Sequence, residues 1–268
     1  NTLLLTAQRS APAIFTNGST QFGGTHVYVA TPSSSDFTLG TGDFTAEGWF
    51  NWSTFSGNGV YIMDFGANGY ILKFENGQSG SKLGFYTSVG QYYGAVSMST
   101  GVWYHIAWTR VSGTGYCYLN GTQVATGTAN MNVTSNTLRM NGYGGGGSYG
   151  QANVKHSDVR VVKGKAVYTG NFSPPTGPLT KTGGTYPNNT NRTDPTASET
   201  VLLTHQDSSG STVPADNSDS NHTLTKSGTI TKGAGYQVIA SDAGPNTLPL
   251  TINGDVRNTR YWPFSYNG

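Results

Sequence analysis

The sequence predicts an all-β fold, a sandwich of two antiparallel sheets, on three observations. Charged residues make up 10% of the 268 positions, too few to dress helix surfaces, which usually carry Glu, Lys and Arg. Gly occurs 38 times, and Thr, Tyr, Val and Asn fill much of the rest, a composition of strands joined by tight turns. Segments with period-two alternation recur at the spacing of about 8 to 12 residues expected of a sandwich. Aromatics at 12% also exclude a disordered chain, since such chains are poor in them.

Phe44 to Phe50 opens the strand series: Phe44, Ala46, Gly48 and Phe50 share one face, and Thr45, Glu47 and Trp49 the other. Val60 to Met63, Tyr70 to Phe74, Leu83 to Tyr86 and Trp103 to Val111 follow. Tyr116 to Leu119 then runs into Asn120-Gly121 and out through Gln123 to Ala125, a hairpin signal because Asn-Gly accepts two positive φ angles at low cost. Leu138 to Met140 and Asp158 to Val162 supply the later strands, and no segment has helical period. Leu224 to Thr231 and Leu250 to Arg257 read as hairpins turning at Ser227-Gly228 and Asn253-Gly254.

A repeat organises the chain. Thr2-Leu3-Leu4-Leu5-Thr6-Ala7-Gln8 recurs as Thr200-Val201-Leu202-Leu203-Thr204-His205-Gln206, at an offset of 198 residues. Between the copies, Lys181 to Ser198 has the Thr, Gly, Pro and Asn composition of a linker. The expected organisation is a sandwich over 1–180, a linker over 181–198, and a β-rich C-terminal arm, or the start of a further module, over 199–268. The arm's apolar residues are too few for a core of their own and are expected to dock on something, with Leu202, Leu203, Tyr236, Trp262 and Phe264 as candidate assembly contacts. The chain starts at Asn1, within an apolar run, which suggests processing of a preceding segment.

Fifteen basic residues and 13 acidic ones give a net charge of +2, with no Lys/Arg cluster to follow a phosphate backbone, so nucleic acid is a poor partner. The lone Cys117 excludes an intrachain disulfide and a multi-cysteine zinc site. No apolar run approaches the roughly 20 residues of a membrane span, so membrane insertion is not expected.

Several spaced motifs, in order, resemble the laminin-G-like members of the concanavalin A-like lectin/glucanase superfamily. They are Phe22 to Val29, Gly42 to Phe50, Trp103 to Arg110, Tyr118 to Gly121, Asp158 to Val161, Lys163-Gly164 and Phe172 to Thr176. The resemblance covers roughly residues 1–180 and is to the kind common in marine bacteriophage structural proteins. It implies a jelly-roll sandwich on a virion surface, as a capsid decoration, tail or fibre component. The implied partners are other virion proteins, further copies of this chain in a homo-oligomer, and cell-surface glycans. The alternative is a carbohydrate-binding lectin module of a secreted bacterial protein, and a glucanase stands third.

Glycoside hydrolysis needs two carboxyl groups flanking the scissile bond. The chain has three glutamates, Glu47, Glu75 and Glu199, and no strand carries acids at i and i+2. Glu47 therefore reads as a structural acid, and no catalytic residue is expected. His156, Ser157 and Asp158 cannot form a relay, because neighbours in a strand point to opposite faces. Asp158 reads as a buried or turn-stabilising acid, His105 as a hydrogen-bonded framework histidine, and Cys117 as a small core hydrophobe. Asp216-Asn217-Ser218-Asp219 offers only two carboxylates where calcium takes six to eight oxygens, so it reads as a solvated turn, and neither metal nor cofactor is expected. Sugar binding needs aromatic platforms ringed by amides and hydroxyls. Two segments carry that chemistry: Gln91-Tyr92-Tyr93, placed between strands, and the glycine-rich loop from Asn141 through Tyr143 and Tyr149, with Gln151 beyond it. Such Tyr/Gly/Ser loops serve contacts with a neighbouring subunit as readily.

Overall fold

The computed structural model describes residues 15–24, 26–55, 59–66, 71–77, 80–128, 132–143, 153–204 and 213–238, of which 15–17, 71–77, 80 and 234–238 are described by backbone alone. A compact unit spans Phe15–Gln237. The described residues form fifteen strands, β1 (Phe15–Phe22), β2 (Tyr28–Ala30), β3 (Phe44–Trp52), β4 (Val60–Asp64), β5 (Ile71–Gly77), β6 (Gly80–Thr87), β7 (Gly90–Ala95), β8 (Trp103–Val111), β9 (Thr114–Leu119), β10 (Thr122–Thr128), β11 (Arg139–Met140), β12 (Val154–Lys163), β13 (Thr200–Leu203), β14 (Thr225–Ser227) and β15 (Ile230–Val238). Among the described residues a 3-10 turn, Ser35–Phe37, interrupts them.

The strands form two sheets, as the alternation predicts. The first runs β10-β9-β8-β3-β12-β1-β15, with β13 also on β12; the second runs β14-β2-β11-β4-β5-β6-β7. The pairs with a defined register are antiparallel. Phe44, Ala46 and Phe50 lie together in the interior with Trp108, Ile62 and Phe85, so the alternation within Phe44 to Phe50 reads the inner face correctly. The Asn120-Gly121 turn joins β9 to β10 with φ of 48° and 78°, the two positive angles that a tight hairpin demands.

The first sheet is covered on its second face too. Residues 164–199 lie over it, and a smaller apolar cluster forms there from Ala107, Tyr118, Val162, Val167, Tyr168 and Phe172. Tyr168 stacks on Phe172 with centroids 3.6 Å apart. Thr45 pins the start of this cover, accepting from the Val167 amide at 2.8 Å, and Asp158 pins its middle, accepting from the Leu179 amide at 2.9 Å.

The expected boundary at 181–198 is therefore not a division between compact units. Lys181 to Ser198 is part of the cover: Tyr186 packs against the smaller cluster, and Thr200 donates to the Lys181 carbonyl at 2.6 Å. A segment of turns hides its role because backbone groups, rather than alternating apolar side chains, make its contacts. The arm corrects likewise. β13 pairs with β12 through Arg160↔Leu203 and Val161↔Leu202, β14 pairs with β2, and β15 extends the first sheet beside β1. Leu202 and Leu203, 0% and 3% exposed, are buried within their own chain and are not free to contact a neighbour. Tyr236 lies in β15; Trp262, Phe264 and the hairpin expected at Leu250 to Arg257 fall outside the described residues. The turn at Ser227-Gly228 is real, with Gly228 at φ 76°, but it makes no hairpin: it carries the chain from the second sheet to the first.

β1 and β13 occupy one lane along β12 in succession. Thr20 to Phe22 pair with Val154 to His156, and Thr200 to Leu203 with Arg160 to Val162. On the opposite flank, the edge strands β7 and β10 meet across the two sheets. Gly94 makes this possible, since a Cβ there would sit 1.7 Å from the Val124 carbonyl oxygen. Gly94→Ala is expected to part these edges at a cost of about 1–3 kcal/mol, read as a fall of roughly 2–12 °C in Tm at 2–4 °C per kcal/mol.

Candidate functional site

A dense cluster of charged and polar side chains among the described residues is buried. Glu47 on β3 stands opposite Arg160 on β12; on β8 its direct partner is Ala107, and His105, two residues along, lies diagonal to it. Its Oε1 accepts from Arg160 Nε at 2.9 Å and Nη2 at 2.6 Å. Its Oε2 accepts from the Tyr168 hydroxyl at 2.6 Å and lies 3.2 Å from His105 Nε2. Arg160 Nη1 donates to the carbonyls of Thr180 and Gly183 at 2.9 and 2.5 Å, and Nη2 reaches the Tyr186 hydroxyl at 3.4 Å. Glu47, Arg160, His105 and Tyr168 are all 0% exposed.

A β-bulge assembles this cluster. The β12–β3 register shifts between Ser157 and Arg160, so one extra residue lies on β12. Without it Val159 would face Glu47. Asp158 takes the left-handed conformation of the bulge at φ 53°, and Gly48 makes room for Val159, whose Cγ2 would lie 3.0 Å from a Cβ there.

Burial by itself raises the pKa of Glu47, but the Arg160 charge and the hydrogen bonds from His105 and Tyr168 outweigh it and hold the carboxyl down at about 2. An acid so held and so enclosed braces the cover on the sheet; it has no path to a glycosidic oxygen. His105 is the framework residue that its aromatic surroundings suggest, edge-on to Trp49 and Phe172. Cys117 lies in the main core, where burial raises its thiol pKa well above the ordinary value. His156 packs between Phe22 and Phe50, while the Ser157 hydroxyl donates to the Gly18 carbonyl at 2.8 Å, so the two do not converge with Asp158.

The Asp216 turn is a structural clasp rather than a solvated turn. Its Oδ1 accepts from the Leu203 and Ser218 amides at 3.0 and 2.9 Å, and its Oδ2 from the Ser218 hydroxyl and the His222 amide at 2.9 Å each. These donors fill the carboxylate's four acceptor directions, and Asp216 is 4% exposed. No group of three or more His, Cys, Asp or Glu residues placed to hold a metal occurs among the described residues.

The residues expected to meet a sugar separate in the structure. Tyr92 lies in strand β7, not between strands; its ring packs on Phe85 at 5.1 Å and its hydroxyl donates to the Thr128 carbonyl at 3.1 Å. Tyr93, next along β7, points to the other face and is half-buried. Asn141 is 0% exposed, at φ 60°, and its Nδ2 donates to the Val27 carbonyl at 2.8 Å. It is a turn-former spanning the sheet, and its burial removes it from any ligand. Tyr149 and Gln151 fall outside the described residues.

Tyr143 remains at the outer surface, in company that the sequence reading missed. Its ring lies 4.8 Å from that of Tyr61, tilted by 31°, and its carbonyl accepts from Arg139 Nη1 at 3.1 Å. The Arg139 guanidinium in turn lies over the Tyr28 ring at 5.0 Å. Tyr28, Tyr61 and Arg139 come from β2, β4 and β11, adjacent strands of the second sheet. Each is half-buried and sits beside fully buried residues, Val27 and Val29, Val60 and Ile62, and Met140, so all three face outward. Gly142 lets the turn lie against Tyr28, where a Cβ would come within 2.7 Å of the tyrosine Cβ. The result is a continuous patch of three tyrosines and one arginine, with apolar ring faces and hydroxyl and guanidinium donors at their edges.

A two-sheet antiparallel sandwich with its acid cluster sealed and an aromatic patch on one outer face has a lectin-like architecture. Residues 22–166 match the family model Laminin_G_3, Concanavalin A-like lectin/glucanases superfamily, and the chain belongs to that superfamily. No curated protein matches the chain. Among solved structures it is similar to a Bacteroides ovatus ATCC 8483 protein provisionally described as carbohydrate binding, at 15% identity and TM-score 0.53, over 84% of this chain and 62% of that one. That share of this chain exceeds what residues 1–180 supply, in keeping with the unit that closes at Gln237. Similarity extends to a SAP-like pentraxin from Limulus polyphemus, at 15% identity and TM-score 0.45, over 56% and 78%. Domains LG4-5 of the mouse laminin alpha1 chain match at 15% identity and TM-score 0.42, over 56% and 43%. The chain thus spans less than two thirds of the Bacteroides and laminin structures.

Proposed function

We propose that this chain is a non-catalytic carbohydrate-binding module whose contact surface is the outer patch of Tyr28, Tyr61, Arg139 and Tyr143. The observation that carries the reading is the pairing of Tyr61 with Tyr143 beside Arg139 on one sheet face. Sugar rings present C–H faces that pack on aromatic rings and hydroxyls that accept from donors at their margin. Membership of a superfamily that includes lectins supports the same reading. A shallow patch of this size binds weakly at one site, so useful attachment comes from many copies acting together. Whether the module works on a virus particle, as the resemblance to phage structural proteins implies, or in a secreted protein, the contact chemistry is the same; presence in purified particles separates the two settings.

The test is a glycan array probed with the full chain and with Tyr61→Ala and Tyr143→Ala. Each variant is expected to lose about tenfold in affinity for any glycan retained, the equivalent of roughly 1.4 kcal/mol of stacking and burial, while keeping a cooperative thermal transition, since both side chains are half-buried and neither is in the core. Retention undiminished in both variants, or no retained glycan, overturns the proposal.

A further inference from the structure

The patch contains a cation, Arg139, that forms no ion pair with a carboxylate among the described residues. Arg139 is half-buried between Tyr28 and Tyr143, and among the described residues one of its five N–H donors is used, Nη1 to the Tyr143 carbonyl. Elsewhere in the described chain, arginines meet carboxylates: Arg160 meets Glu47, Arg110 lies 3.7 Å from Asp43, and Arg192 pairs with Asp194. Arg139 makes no ion pair among the described residues. Its register partner on β4 is an acid, Asp64, yet that side chain is 1% exposed and its Oδ1 accepts from the Gly66 amide at 2.7 Å.

Resting on the carbohydrate-binding reading, we infer that the ligand is an acidic saccharide whose anionic group, a carboxylate or a sulfate, pairs with the Arg139 guanidinium while its ring lies on Tyr61 and Tyr143. Three features converge on this. The guanidinium is planar and offers paired donors that match a two-oxygen anion. The Tyr28 ring beneath it holds that plane in place without neutralising it. The tyrosines beside it supply apolar faces that a bare anion does not need and a sugar ring uses. A neutral saccharide would leave the donors to water and gain only the stacking.

The experiment is titration calorimetry of the full chain with trigalacturonate, with its methyl ester, which removes the charge and keeps the shape, and with a sulfated galactan oligosaccharide. The expected result is at least one anionic probe binding about tenfold or more tighter than the neutral ester, a preference that collapses in Arg139→Gln, recovers in part in Arg139→Lys, and shrinks with added salt. Binding of the sulfated probe alone supports the inference and assigns the group to sulfate; binding of trigalacturonate alone assigns it to carboxylate. Equal binding of acid and ester, lost in Tyr61→Ala and kept in Arg139→Gln, overturns the acidic specificity and leaves the carbohydrate reading standing. Absence of binding by all three probes, when the array retains a neutral glycan, overturns it likewise; with no retained glycan, both readings fall together.

Discussion

Arg160→Ala is expected to destabilise the protein by about 3–5 kcal/mol, because it leaves Glu47 charged, fully buried and without its counter-ion. Urea unfolding read by tryptophan fluorescence measures the loss. The substitution also strands the Thr180 and Gly183 carbonyls that the guanidinium gathers, so the cover over the first sheet is expected to loosen before the sandwich opens. Glu47→Gln keeps the shape of the side chain but only one acceptor oxygen and leaves the Arg160 guanidinium buried without its counter-ion, and is expected to cost a comparable amount. A variant Arg160→Ala as stable as the parent would show that the cluster does not brace the cover.

The same cluster gives stability a pH dependence of defined sign. The Glu47 carboxyl is held near 2 in the folded chain, below its ordinary value of 4.5, so the unfolded chain binds the proton more readily. Its contribution is fully present above about pH 4.5 and is lost as pH falls from there toward 2. The unfolding midpoint in urea is expected to be flat through neutrality and to drop across that acid window, and Glu47→Gln should flatten the drop.

The second large effect concerns the C-terminal strands. A chain ending at Thr180 is expected not to fold. It lacks Val201, Leu202, Leu203, Leu224 and Ile230, all buried in the unit, and each such side chain contributes about 1.5–3 kcal/mol. Their sum is comparable to the whole stability of a domain, about 5–15 kcal/mol. Loss of cooperative thermal unfolding and of near-ultraviolet dichroism is the expected reading. A folded, monomeric truncation would return residues 181–238 to the role of a separable linker and arm. Leu202→Asp in the full chain is the milder form of the test, placing an unpaired charge at a position with no exposure.

Local pattern made the strands legible where side chains alternate. Trp103 to Val111 matches β8 to the residue, and Asn120-Gly121 announced its turn through its own conformational preference. Strand β7 escaped because glycines flank Tyr92 and Tyr93 at positions 90 and 94, and a short Gly-bounded run reads as a connection. The partner of Glu47 escaped for a different reason. Arg160 lies 113 residues away, and only a one-residue bulge brings it into register, which alternation cannot foresee. Asn141 misled because an asparagine beside a glycine run suits both an exposed loop and a positive-φ turn, and its burial depends on Val27, 114 residues away. The outer patch was partly readable: Tyr28 and Tyr61 are each flanked by apolar residues on both sides, the signature of an outward aromatic in a strand, but nothing local places their strands side by side.

The lane that β1 and β13 share along β12 also bears on how the chain is made. When β12 leaves the ribosome, its Val154 to His156 end finds β1 already present, while its Arg160 to Val162 end has no neighbour on that side until β13 is synthesised. The gap is about forty residues, a wait of roughly 2–8 s at ordinary rates of translation. During that interval the unfinished chain leaves the apolar Val161 and Val162 without their partners, the kind of exposed segment that recruits other chains. Productive synthesis of this protein therefore depends on keeping that segment unoccupied until its own continuation arrives.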